Sequence, residues 1–206
     1  MDLMKLLQDQ VSDSLMDSVI GQLGGGVQKE KASTAASGIM DMMMGALANN
    51  ASTPQGASAL MGALDRDHDG SILDDVAGFL GGSKQPTNEK MLNGAGILRH
   101  VLGERQDTAV NMLSKDTGLD KSQVLNMMIK FAPMVMGMLG KVKKQQNLDA
   151  GGLQDFLRTS QQTQRASSSG GDLFTRMLDK DGDGSIMDDV AQSGIKALFG
   201  KLFGRK

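Results

Sequence analysis

A thirteen-residue acidic segment occurs twice in this 206-residue chain, and few folds can use it. The first copy, Asp65 to Ala77, reads DRDHDGSILDDVA, and the second, Asp179 to Ala191, reads DKDGDGSIMDDVA. Ten of the thirteen positions are identical, and two of the three differences, Arg66/Lys180 and Leu73/Met187, are conservative. Each copy sets aspartates at positions 1, 3 and 5, a glycine at 6 and an isoleucine at 8. Gly70 and Gly184 let the backbone turn sharply without a Cβ penalty. A solvated turn needs some Asp and Gly, but not the same order twice, 114 residues apart.

The pattern is the front half of an EF-hand calcium loop, in which hard oxygen ligands at alternating positions wrap one cation. Such a loop closes with a bidentate Glu at position 12, whereas here that position holds Val76 and Val190. The carboxylates stand instead at positions 10 and 11, as Asp74 and Asp75 and again as Asp188 and Asp189. Read as a metal site, the first loop offers Asp65, Asp67, Asp69, the Ser71 carbonyl and Asp75. The second offers Asp179, Asp181, Asp183, the Ser185 carbonyl and Asp189. Calcium is the first candidate ion and magnesium the second, with affinity roughly micromolar to millimolar. Asp74 and Asp188 compete for the closing role. Paired loops would bring Ile72 and Ile186 side by side. The competing reading needs no metal: Asp-Gly-Ser makes turns, and Asp74 and Asp75 in the first turn of a following helix favour its dipole.

The remaining chain predicts an all-α fold, a multi-helical bundle of two related, unequal lobes, each presenting one acidic loop. Leu3, Leu7, Val11, Leu15 and Val19 form one stripe of an amphipathic helix over 2–22, stopped by Gly24, Gly25 and Gly26. Further helices fit 30–49, 73–80, 89–102, 105–116 and 120–142. Thr53 and Pro54 read as the N-cap and first residue of the helix that enters the first loop. Asp120 and Gln123 have capping-box spacing. Gly81 to Asn88 is a polar linker. Met44-Gly45-Ala46-Leu47 recurs as Met136-Gly137-Met138-Leu139, which extends the duplication beyond the loops. Residues 159–171, TSQQTQRASSSGG, carry no large apolar side chain and are expected to be a flexible tether. This divides the chain into a helical domain at 1–158, the tether, and a tail at 172–206.

Nine of the seventeen methionines lie in 40–44 and 127–138. Met-rich apolar surface can bind protein partners, but Val124 to Leu139 is apolar nearly all round, the mark of a buried central helix. In the tail, Ile195, Leu198, Phe199, Leu202 and Phe203 follow helical spacing, flanked by Lys196, Lys201, Arg205 and Lys206. That stripe is expected to dock on its own lobe first, on a protein partner second and on a membrane surface last.

A formal charge of −2 argues against bulk nucleic-acid binding. The absence of Trp and Tyr removes the usual stacking platforms. With no cysteine there is neither a disulfide framework nor a thiolate metal site. No eighteen-residue apolar run and no secretory signal are visible. The histidines are His68, at a loop position that points away from an ion, and His100, read as a half-buried helix residue. No nucleophile elbow, phosphate loop or zinc motif is present, so the chain is not expected to be an enzyme.

The N-terminal leucine-rich helix, the segment ALMGALDRDHDGSILDDV, the run Asn93-Gly94-Ala95-Gly96-Ile97-Leu98-Arg99-His100-Val101-Leu102-Gly103 and GLDKSQVLNMMIKFAPMVMGMLG together resemble the YidB-like bacterial family, a domain of unknown function numbered nine-three-seven. The resemblance covers about 1–160. It implies an all-helical, cytoplasmic bacterial protein and no activity, substrate or catalytic residue. The function expected from the residues is divalent-cation binding in a non-enzymatic helical protein; the alternative is a metal-free scaffold or interaction protein whose acidic loops cap helices.

Overall fold

The computed structural model describes residues 17, 20–21, 27–76, 78, 89–167 and 176, and all of the regular structure among them is helical. Asp17, Ile20 and Gly21 are helical, and Ile20 packs against the core. Six α-helices follow: α1 (Lys29–Asn50), α2 (Pro54–Asp67), α3 (Gly94–Leu102), α4 (Gln106–Thr117), α5 (Lys121–Gln146) and α6 (Ala150–Ser167). Two 3-10 turns, Ser71–Asp75 and Glu89–Leu92, lie between α2 and α3.

Local chemistry sets several of these boundaries. The Thr53 hydroxyl accepts the Gly56 N–H at 3.1 Å, with Pro54 in the first helical position of α2. The helix expected over 89–102 is split because Asn93 caps α3, its Oδ1 accepting the Gly96 N–H at 2.9 Å. The capping box at the start of α5 forms, and Gln123 accepts the Asp120 N–H at 3.0 Å. Asn147 ends α5 in the left-handed region, at φ 49°.

The Met-rich helix α5 is the central element. It packs against α1, α2, α3, α4 and the Ser71–Asp75 turn. Met40, Met42, Met43 and Met44 on α1 and Met127, Met128, Met134, Met136 and Met138 on α5 are all buried in one continuous core that runs from Ala32 to Leu157. These nine methionines are therefore packed in the core. The helices bearing the two Met-Gly-x-Leu segments lie against each other within that core. Each buried Met or Leu side chain contributes roughly 1.5–3 kcal/mol relative to exposure.

Pro133 sits inside α5 and supplies no N–H to the carbonyl one turn back, that of Ile129. Gly94, the first residue of α3, approaches that same carbonyl so closely that a Cβ there would collide with it. Side-chain ties close the bundle: Asn50 Nδ2 donates to the Val101 carbonyl at 3.0 Å, and Gln154 Nε2 to the Ser52 carbonyl at 2.9 Å.

The expected tether at 159–171 does not begin at Thr159, because α6 continues to Ser167. Its Gln- and Ser-rich sequence buries little, but Leu153 and Leu157 anchor the preceding turns at 0% exposure. The Thr163 hydroxyl donates to the Thr159 carbonyl at 3.0 Å, so a helix seeded by packing runs on through polar residues. Positions 168–171 lie outside the described residues. So do the linker at 81–88, the second acidic loop, the apolar stripe at 195–203 and most of the helix expected at 2–22.

Candidate functional site: the first acidic loop on α5

The first acidic segment begins inside a helix. α2 continues through Asp67, so Asp65 and Asp67 are helical neighbours two residues apart. At 3.6 residues per turn they point roughly 200° apart around the axis. His68 leaves the helix, and Gly70 takes φ 94°, the left-handed turn its position demanded. The chain then enters the 3-10 turn Ser71–Asp75, in which the Leu73 N–H bonds the Gly70 carbonyl at 3.1 Å.

Each carboxylate has a distinct environment. Asp69 Oδ1 accepts both the Ser71 N–H at 3.0 Å and the Ser71 hydroxyl at 2.7 Å, closing an Asx turn. Those two bonds, the hydroxyl's first, hold the Asp69 carboxyl below its ordinary pKa, and the Lys144 ammonium, 3.6 Å from Oδ2, pulls the same way. Asp65 is ion-paired with Lys143. The Lys143 side chain is only 18% exposed, so packing holds its ammonium, while Asp65 stays 55% exposed and open to water on one side. Asp67 is half-buried and Asp74 is exposed. Among the described residues, no three His, Cys, Asp or Glu side chains gather in a group that could hold a metal ion. Of the first loop's expected ligands, the structure brings together Asp69 and Ser71, and it parts Asp65 from Asp67. Asp75 ends the 3-10 turn. Asp179, Asp181, Asp183, Ser185 and Asp189 lie outside the described residues, and so does the expected pairing of Ile72 with Ile186.

What the loop does touch is the C-terminal half of α5. Ile72 is 3% exposed and rests on Gly137, where a Cβ would strike its Cγ2. The His68 carbonyl lies on Gly140, and a Cβ there would collide with that oxygen. The two glycines are three residues apart, on one face of the helix. Lys143 and Lys144, in the last turn of the same helix, meet Asp65 and Asp69. A helix C-terminus is also where lysines complement the macrodipole. His68 is buried under this contact at 6% exposure; burial lowers its pKa, partly opposed by the neighbouring Asp67 charge. His100 is exposed on α3 and not half-buried, since Ile97, Leu98 and Val101 take the inner face.

Sequence reasoning missed Gly137, Gly140, Lys143 and Lys144. Their signal was present as G-x-x-G followed by lysines three and four positions later, a smooth strip of helix ending in positive charge.

A family model describing a bacterial protein of unknown function, DUF937, matches residues 5–142. The chain belongs to this family. The DUF937 stretch takes in the first loop and both seat glycines and stops just before Lys143. No curated protein and no solved structure matches the chain. No helix among the described residues is long and apolar enough to cross a membrane.

Proposed function

We propose that this DUF937 protein is a non-enzymatic helical scaffold or interaction protein, and that its first acidic loop is a brace clamping α2 onto α5. The observation that carries this reading is the pairing of Asp65 and Asp69 with Lys143 and Lys144. Two lysine ammonium groups stand beside the carboxylates that a bound cation would need. The glycine seat supports it, because contacts of the His68 carbonyl and Ile72 with α5 leave little freedom to the backbone around Gly70. The duplicate loop, in a second related lobe, is expected to brace its own partner surface in the same way. A cytoplasmic location goes with this reading and rests on the family resemblance.

A second reading is divalent-cation binding, calcium first and magnesium second. It is favoured by the repetition of every candidate ligand in both loops and by the water-accessible faces of Asp65 and Asp69. An ion in the first loop would require the last turn of α2 to unwind, so that Asp65 and Asp67 could converge, and the lysines to withdraw.

Calorimetric titration of calcium and magnesium into metal-stripped protein separates the readings. The brace predicts no heat from the first loop in the wild type. Two binding events, both lost in the Asp65→Ala, Asp179→Ala double variant, would overturn it in favour of the ion. A single event abolished by Asp179→Ala alone would assign cation binding to the second loop and leave the brace in place.

A further inference from the structure

One apolar cleft in the described surface is not filled by the bundle. It lies beside the acidic loop, between Ile72 and Val76 on one side, Leu92 on another and Ile129, Pro133 and Met134 of α5 at its base, with Lys130 as its charged member. It holds about 180 Å³. An apolar cavity of about 150 Å³ accepts a benzene ring, so this cleft has the size of one phenylalanine side chain.

We propose that the cleft is the dock of this chain's own C-terminal segment, with Phe199 or Phe203 as the anchor. Three observations lead there. First, the sequence of 195–203 places Ile195, Leu198, Phe199, Leu202 and Phe203 at i, i+3, i+4, i+7 and i+8, a single apolar stripe with two rings on it. Second, the chain returns to the bundle after α6. Arg176 Nη1 bonds Asp116 Oδ2 at 3.2 Å, at the end of α4 and next to the start of α5. Ile129 to Met134 lie eight to thirteen residues into α5, about 12–20 Å along its axis. Nineteen residues separate Arg176 from Ile195, a length that covers about 28 Å even at the short rise of a helix. Reach and distance agree. Third, charge is complementary. The 3-10 turn that walls the cleft carries the exposed Asp74, while Asp65 and Asp69 of the same loop already face Lys143 and Lys144. The docking stripe is flanked by Lys196, Lys201, Arg205 and Lys206.

Docking would cover the apolar cleft and set the basic end of the chain against the acidic loop. The segment would then be released only when something else takes the cleft or the tail.

The chain has no cysteine, so the test is direct. A nitroxide is attached at Ala197→Cys in the full-length protein, and methyl signals of Ile72, Leu92, Ile129 and Met134 are recorded. The proposal expects these four to lose most of their intensity, independent of protein concentration, while Leu153 and Leu157 on α6 keep theirs. Phe199→Asp with Phe203→Asp should restore the four signals while the helical content of the protein, read by circular dichroism, is retained. Unbroadened cleft methyls would overturn the proposal. So would broadening carried between chains, seen when spin-labelled and isotope-labelled chains are mixed, because the occupant would then be a second copy. If the methyl shifts respond to Phe79→Ala or Phe174→Ala and not to the tail variants, another ring fills the cleft and the proposal fails.

Discussion

The two ends of α2 are held by different physics. At its start, Thr53 and Pro54 settle the matter within four residues, by one hydroxyl and one fixed φ. At its end, the acidic loop is shaped by α5, through Gly137, Gly140, Lys143 and Lys144, some seventy to eighty residues downstream. A local device works in any chain that contains it. A distant seat works only in the assembled bundle, so the same loop sequence can serve as a brace in one context and another purpose elsewhere.

The contrast can be broken most strongly at the seat. Gly140→Ala drives a Cβ into the His68 backbone carbonyl, which cannot rotate away. Overpacking of this kind costs about 1–3 kcal/mol, and we expect a net loss even against the roughly 1 kcal/mol that Ala gains over Gly in a helix. Chemical denaturation measures it. Gly137→Ala should cost less, because it meets a side-chain methyl of Ile72; equal losses would mean the loop is not pinned by its backbone.

At the other end, Thr53→Ala removes only the cap, and a loss of about 1 kcal/mol is expected. The change should be additive with Gly140→Ala, since neither contact shares a partner with the other. Coupling between them would show that α2 responds as a rigid rod and that its ends are not independent.

The ion pairs come next. A double-mutant cycle on Asp65→Asn and Lys143→Met should give a coupling of roughly 0.2–1 kcal/mol, as for other pairs with one exposed partner, and added salt should reduce it. A coupling near zero would leave the brace to the glycine seat and the Asp69–Lys144 pair.

The smallest effect is acid sensitivity at Asp69. Its folded pKa is depressed, so its contribution is fully present above the unfolded value and is lost as pH falls through the folded one. Asp69→Asn should therefore narrow the stability difference between neutral and strongly acidic solution, read from denaturation midpoints across that range. An unchanged pH profile would mean the Ser71 turn does not hold in solution.

Much of the fold was legible because it depends on short-range rules. The caps at Thr53 and Asp120, the breadth of apolar residues on α5 and the burial of the methionines follow from spacing and propensity. Asn93 was missed as a cap because a run of helix formers masked a side chain that bonds its own backbone three residues on. The continuation of α6 was missed because composition alone cannot register two leucines holding the preceding turns. At the site, the glycine at position 6 and the Asp69–Ser71 turn were readable. The direction of Asp65 was not, because it depends on where α2 stops and on a lysine 78 residues away.

That separation has a consequence in time. The ribosome completes Asp65 well before it makes Lys143, 78 residues later. At about 5–20 residues per second, the interval is on the order of 4–16 s. Throughout it, α2 ends in a row of aspartates with no seat and no counter-charge from α5. Closure of the brace is thus a late event of synthesis, and until then the first acidic loop stands open.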